Sequence, residues 1–217
     1  PRPLSCRWLR TNSIADSHCS MNGHSHSNNS TSTNENNNNI ENGWFTETEA
    51  MWPGQKFSLA LDEFSNDSIL FCETTAFQSV LVFKSAQFGN VLVLDGVIQL
   101  TQRDEFAFHE MMVHLPLCSN RNIANILIVG GGDGAALRQI VTQYDTNTVK
   151  TITIVEIDPV VIQVAKEFLD TAPYFEDKRV TIVHMDAATF LADPENSNYD
   201  VIIADGSDAV GPAESLF

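Results

Sequence analysis

Five acidic side chains each follow closely on a short apolar run. Asp133 comes after residues 126–129, Glu156 after 152–155, Asp186 after 180–183, and Asp205 with Asp208 after 201–204. Runs of this kind, separated by loops and amphipathic segments, read as buried parallel strands. Ligands of such sheets bind outside the carboxyl ends of the strands, so all five acids converge on one rim. Taken singly, any of them could be a helix cap or a solvated loop acid. Asp158, followed by Pro159, is assigned mainly to capping. Together the five are harder to dismiss. Close like charges repel by on the order of 4 kcal/mol per pair at an effective dielectric near 20. The rim therefore calls for a cationic ligand or a network of donors.

The loop after the first run narrows the ligand. Gly130-Gly131-Gly132-Asp133-Gly134-Ala135 satisfies the G-x-G-x-x-G/A dinucleotide pattern, and Glu156, about 20 residues on, suits a ribose hydroxyl. A pyrophosphate needs backbone N–H groups and positive potential, which Asp133 inside the loop opposes. A nucleoside that lacks phosphate and carries positive charge fits better, and a sulfonium nucleoside is such a ligand. This favours S-adenosylmethionine-type chemistry over a nicotinamide oxidoreductase.

These residues need a scaffold. The segments at 126–129, 152–155, 180–183 and 201–204 alternate with helices bearing Leu137, Ile140 and Val141, then Val160, Val161, Val164 and Phe168, then a short one at 187–191. The expected fold class is α/β, a Rossmann-like doubly wound sheet. Ahead of it, a partly alternating segment at 57–64, short apolar runs at 80–83 and 91–94 and a further strand at 97–101, with turn pairs Gly89-Asn90 and Asp95-Gly96, predict a small antiparallel unit. Phe106, Phe108, Met111, Met112 and Leu115 predict the apolar side of a helix that Pro116 ends.

The chain has 217 residues, 43% hydrophobic and 18% charged, which excludes a wholly disordered chain or a coiled coil. Its formal charge of −16 disfavours nucleic acid and favours cations. No apolar run reaches the roughly 18–20 residues of a membrane span. Four cysteines, two of them in the leading segment, make no disulfide framework and point to a reducing, cytoplasmic setting. Residues 1–42 are rich in Asn and Ser and predict a disordered tail. His18, His24 and His26 there read as a solvated polar tract rather than a metal site. Met21 is a candidate natural initiator, with residues 1–20 as translated upstream sequence. Three basic residues (Arg2, Arg7, Arg10) balance three acids (Asp16, Glu35, Glu41) in the tail, so the whole net charge rests on residues 43–217.

Longer motifs carry a resemblance. Gly43-Trp44-Phe45, Trp52-Pro53-Gly54-Gln55, Gly89-Asn90-Val91-Leu92-Val93-Leu94-Asp95-Gly96, Arg103-Asp104-Glu105-Phe106, the 130–134 loop and Gly211-Pro212-Ala213-Glu214-Ser215-Leu216-Phe217 together resemble spermidine synthases. The resemblance implies aminopropyl transfer from decarboxylated S-adenosylmethionine, a co-substrate rather than a resident cofactor, to putrescine. It implies that Asp133 contacts the donor's aminopropyl side, that Glu156 holds the ribose, and that Asp186 and Ala187 lie by the adenine. Gly130, Gly132, Gln78 and His109 match further donor-site positions. Asp205 matches the proton acceptor, Asp208 an acid that holds the diamine, and Trp44 and Phe108 substrate-site positions. It also implies a homodimer or homotetramer built through the β-rich unit; separately, no metal site and no membrane partner are expected. The expected division is a tail at 1–42, a β-rich unit at 43–103 and a nucleoside-binding domain at 104–217.

Several residues depart from the family pattern. Phe108 stands where a tyrosine is usual, Gly206 where a serine is, and Ala209 where a proline is. Phe77 and Ser79 flank Gln78 in place of the common Tyr and Asp, and residues 66–75 look longer than the usual connection. The family continues with more strands, helices and a gate. The chain as given is accordingly expected to be a fragment, incomplete after its fourth strand, poorly soluble and inactive alone. Competing expectations are a putrescine N-methyltransferase using S-adenosylmethionine, which Asp133 opposes by repelling the methyl donor's carboxylate, and an inactive truncated subunit. Spermidine as acceptor is a finer variant.

Overall fold

The structure, a computed structural model, describes residues 39–47, 54 and 56–206. The tail through residue 38 with its histidines and Met21, Trp52, Pro53, Gln55, Asp208, Ala209 and the 211–217 motif lie outside the described residues.

Two antiparallel sheets come first. β1 (Ile40–Glu41), β2 (Trp44–Thr46) and β3 (Ser58–Ala60) form one; β4 (Ile69–Thr74), β5 (Ser79–Ser85), β6 (Gly89–Leu94) and β7 (Val97–Thr101) form the other in that order. Asp95-Gly96 forms a turn as expected, whereas Gly89-Asn90 opens β6, paired with Ser85 and Lys84, and the turn before it is residues 86–88. Gly89 (φ 72°) and Asp95-Gly96 (φ 49° and 77°) take left-handed backbone at the two ends of β6. Two further expectations need correcting here. Residues 66–75 are not merely a long connection, because 69–74 is the edge strand β4, paired to β5 across a register shift at Ile69/Phe71. That irregular register breaks the alternation by which a strand is read. Residues 40–41, assigned by composition to the tail, pair with β2, and Ile40 packs on the core of Phe45, Leu61 and Phe83.

The parallel sheet follows. Helix α1 (Glu105–Ser119) leads into β8 (Asn125–Gly130), α2 (Ala135–Gln143), β9 (Thr151–Val155), α3 (Pro159–Phe168), the single turn α4 (Ala172–Phe175), β10 (Val180–Val183), α5 (Ala187–Ala192) and β11 (Val201–Asp205). Strand order is β10-β9-β8-β11, all parallel. β8 is buried on both faces. Ile126 and Ile128 join a core with α2, α3 and the inner residues Val80, Val82 and Leu92 of the antiparallel sheet, while Leu127 and Val129 pack with Ala187 and Phe190. Each such side chain contributes about 1.5–3 kcal/mol by burial. This core joins the antiparallel sheet to the parallel one among the described residues.

Helix α1 departs from expectation twice. Its buried residues are Glu105, His109, Val113 and Leu117, spaced by four. Phe106, Phe108, Met111 and Leu115, expected to face the core, are exposed among the described residues, with Phe108 at 64%. Only Met112 of that set packs against the core. Apolar count selects the wrong face because the inward one carries two polar groups, Glu105 and His109, paired with each other and, through Glu105, with Arg138. Pro116 does not end the helix either. It lies in the last turn, where the missing N–H removes one rung. The Ser119 hydroxyl donates to the Leu115 carbonyl (2.6 Å) and the Asn120 amide to the Pro116 carbonyl (2.8 Å), which satisfies the frayed end.

Candidate active site

The carboxyl ends of the parallel strands open into a crevice of about 300 Å³. Its floor is the glycine loop, Glu156, Asp186, Ala187, Asp205 and Gly206; its other wall is Gln78, Leu92, Leu94, Ile98 and Gln99 of the antiparallel unit with Phe108 and His109 of α1. Four of the five rim acids, Asp133, Glu156, Asp186 and Asp205, are thus brought together; Asp208 lies outside the described residues. Trp44 is not among the lining residues: it stands on β2 against Phe64 (ring centroids 6.1 Å apart).

Close backbone approach explains the glycines. Gly130 has φ 78°, and a Cβ there would collide with the carbonyl oxygen of Asp205, its register partner on β11. The contact lets the Gly131 N–H reach that oxygen at 2.7 Å. At Gly132 a Cβ would lie 2.7 Å from Glu156 Oε2, the atom that accepts the Gly132 N–H at 3.2 Å.

The acids occupy different environments. Glu156 is buried, with Oε1 accepting the Asp158 N–H (2.9 Å) and Oε2 that of Gly132. Burial pushes its carboxyl up to about 7, against the pull of those two donors. Asp158 caps α3 through Val160 N–H (3.0 Å), as its position before Pro159 predicts; its other oxygen accepts from Thr75 Oγ1 (2.8 Å) and Gln78 Nε2 (3.1 Å). Asp186 is exposed and caps α5 by accepting the N–H and hydroxyl of Thr189, bonds that hold its carboxyl below the usual range. Asp133 Oδ1 accepts the Ala135 N–H at 2.7 Å at the start of α2, and burial raises its pKa. Asp205 keeps 9% of its side chain exposed, and its Oδ2 has no hydrogen-bond partner. Burial, then the charge of Asp133, pushes it up to about 7.

His109 stands among them, 3% exposed. Its Nδ1 lies 2.8 Å from the Glu105 carbonyl oxygen and 3.0 Å from Glu105 Oε2; its Nε2 lies 3.9 Å from Asp205 Oδ2 and 4.0 Å from Asp133 Oδ2. Burial opposes charge on the ring, but the bond to Glu105 and the fields of Asp133 and Asp205 outweigh it and push the imidazole up to about 9. Nε2 and the two facing carboxylate oxygens lie within 4.8 Å of one another, a spacing that suits a small organic cation. The rings of Phe108 and His109 stand perpendicular, with centroids 5.2 Å apart. Phe108 is therefore a rim residue and not a core phenylalanine.

Two supporting residues had no role assigned from sequence. Glu105 is buried, and Arg138 of α2 pairs with its Oε1. These contacts hold the Glu105 carboxyl below its usual value despite burial. The i,i+4 spacing of Glu105 and His109 was a usable signal; the partnership with Arg138, 33 residues away, was not.

Residues 105–217 match the spermine/spermidine synthase domain, and residues 43–102 match the spermidine synthase tetramerisation domain. The chain is 46% identical over 180 residues to spermidine synthase 2 of Arabidopsis thaliana, covering 82% of this chain and 51% of that protein. It is 45% identical over 179 residues to a spermidine synthase of Dictyostelium discoideum, covering 82% and 60%. Among solved structures, a spermidine synthase in complex with the transition-state analogue AdoDATO superposes with a TM-score of 0.70 at 29% identity, over 80% of this chain and 57% of that one. The spermidine synthase from Thermotoga maritima gives 0.66 at 29% identity, over 75% and 54%. The chain spans about half the length of the curated relatives it matches. With one domain match covering residues 105–217 and the other abutting it, the chain belongs to the spermine/spermidine synthase family.

Proposed function

We propose that the whole protein is an aminopropyltransferase that moves the aminopropyl group of decarboxylated S-adenosylmethionine to putrescine, giving spermidine and methylthioadenosine. The observation that carries this reading is the pair Asp133 and Asp205, two mostly buried carboxyls that converge on one imidazole where a phosphate-bearing nucleotide would need positive potential. A donor with a sulfonium and an ammonium, and an acceptor with two ammonium groups, match that charge pattern. Glu156 takes the ribose hydroxyls, Asp186 and Ala187 flank the base, and Gln78 and His109 close the donor side. Asp208 and Trp44 remain assigned to the acceptor by resemblance.

In the reaction the acceptor nitrogen forms a bond to the methylene carbon beside sulfur. The carbon–sulfur bond breaks, and its electrons neutralise the sulfonium. An aliphatic ammonium ordinarily titrates near 10, so the attacking nitrogen must first give up a proton. Asp205, with an unpartnered oxygen and a raised pKa, is suited to take it. The crevice supplies orientation, holding nitrogen and the carbon–sulfur bond in line.

We further propose that residues 43–103 form the oligomerisation unit, that residues 104–217 begin the nucleoside-binding domain, and that the protein works as a homodimer or homotetramer in the cytoplasm. Among the described residues no helix is long and apolar enough to cross a membrane. The test is an assay for methylthioadenosine with putrescine and each donor in turn. Product from decarboxylated donor alone supports the reading; methylated putrescine from S-adenosylmethionine overturns it.

A further inference from the structure

Both ring nitrogens of His109 face oxygens of acidic or carbonyl groups. Nδ1 points at the Glu105 carbonyl oxygen and carboxylate; Nε2 points at the oxygens of Asp133 and Asp205. A neutral imidazole has one donor and one acceptor. A neutral ring with its proton on Nδ1 would satisfy Glu105 but leave the carboxyls of Asp133 and Asp205, 4.0 and 3.9 Å from Nε2, without a facing positive charge. A second proton on Nε2 supplies that charge. The empty crevice therefore already contains a cation, seated where an ammonium of the reactants has to go.

Two cations cannot share that seat. We propose that the proton on His109 is a placeholder, present in the empty crevice and expelled when the aminopropyl ammonium of the donor settles between Asp133 and Asp205. The inference rests on the proposed function for the identity of the incoming cation. The proton that leaves is the one on Nε2. Arg138 keeps Glu105 ionised, and Glu105 keeps a proton on Nδ1. The freed Nε2 lone pair then accepts from the bound ammonium. Glu105 is thus a positioning residue, acting through His109 rather than on the substrate. The groups facing His109 are Glu105 on its own helix, Asp133 on the β8–α2 loop and Asp205 on β11, with Arg138 of α2 acting through Glu105 and Glu156 acting on Asp205. The tendency of the ring to titrate near 9 agrees with this.

The device gives the site selectivity for charge. A neutral nucleoside cannot replace the proton, so it gains nothing from the two carboxylates. The experiment is calorimetric titration of decarboxylated S-adenosylmethionine at pH 8 in phosphate and in Tris, whose ionisation heats differ. We expect about one proton released per donor bound, and affinity approaching a tenfold rise per pH unit between 7.5 and 8.5. Methylthioadenosine, which lacks the aminopropyl group, should release none, and His109→Gln should abolish the release. Release that persists in His109→Gln assigns the proton to a carboxyl and overturns the proposal. Nitrogen-15 NMR of the histidine rings reads the empty crevice directly. Two imidazolium nitrogens at His109 at pH 8 support the placeholder; a neutral ring overturns it. Donor that binds without proton release overturns the placeholder and leaves the proposed function standing, whereas donor that does not bind overturns both.

Discussion

Glu156 Oε2 accepts the N–H of Gly132 at 3.2 Å, which ties the end of β9 to the glycine loop and fixes the carboxylate at the floor of the crevice. The approach is possible because Gly132 has no Cβ, which would lie 2.7 Å from Oε2 and 2.9 Å from Cγ of Glu156.

Gly132→Ala is therefore expected to push Glu156 aside. Overpacking of this kind costs about 1–3 kcal/mol. Affinity for methylthioadenosine, which keeps the ribose, should fall at least about tenfold. Urea denaturation and calorimetry check the two parts, and unchanged ribose-dependent binding would remove Glu156 from the donor site.

Asp205→Asn should lower kcat by about 10²–10⁴-fold, the usual range for loss of a positioned base. The same change should stabilise the ligand-free protein near pH 8, because a carboxylate that burial and the charge of Asp133 disfavour, and whose Oδ2 accepts no hydrogen bond, is removed. Loss of activity together with a raised Tm is the signature; a lowered Tm would argue that Asp205 has an ordinary structural role.

Stability should fall steadily from about pH 5 to pH 9. Glu156 and Asp205 have folded pKa values raised to about 7. They favour the folded state below their unfolded values near 4, and that advantage is lost as pH rises through 7. His109, raised to about 9, favours folding below 6.5, and this is lost as pH rises through 9. All three act in one direction. Glu105, with its lowered pKa, opposes them only below about pH 4. Urea midpoints across the range test the sign, and a maximum near pH 8 would contradict it.

Arg138→Ala leaves Glu105 buried without its cation. Breaking one side of a buried pair costs about 3–5 kcal/mol; because Arg138 retains a quarter of its exposure, the expected loss is about 1–3 kcal/mol. Adding Glu105→Gln in the same chain should recover part of it, since no buried charge is then left alone. A double-mutant cycle measured by denaturation decides this.

Phe108→Tyr restores the hydroxyl that the family resemblance places at the rim. Phe108 is exposed, so stability should change by less than about 0.5 kcal/mol. kcat/KM for putrescine should rise severalfold if the hydroxyl orients the attacking amine. Equal kinetics for the two side chains would show that position 108 contributes only its ring.

The strand–loop–acid order of the parallel sheet was readable from the chain, and so were the glycine loop, the Asp158 cap and the two-stage layout. Each depends on contacts a few residues apart, on side-chain period or on backbone conformations that only glycine adopts easily. The chain did not reveal which side of α1 turns inward, because its apolar residues outnumber the polar ones on the face that stays out. The inward face is set by Arg138 and by carboxylates on β11 and the β8–α2 loop, partners that only folding brings to Glu105 and His109. Nor could composition tell Asp186 from Asp205. Both follow a strand, yet one caps a short helix in solvent and the other is largely buried beside the His109 ring. Residue type places an acid at the rim, but burial and the field of distant neighbours decide whether it holds a helix or exchanges a proton.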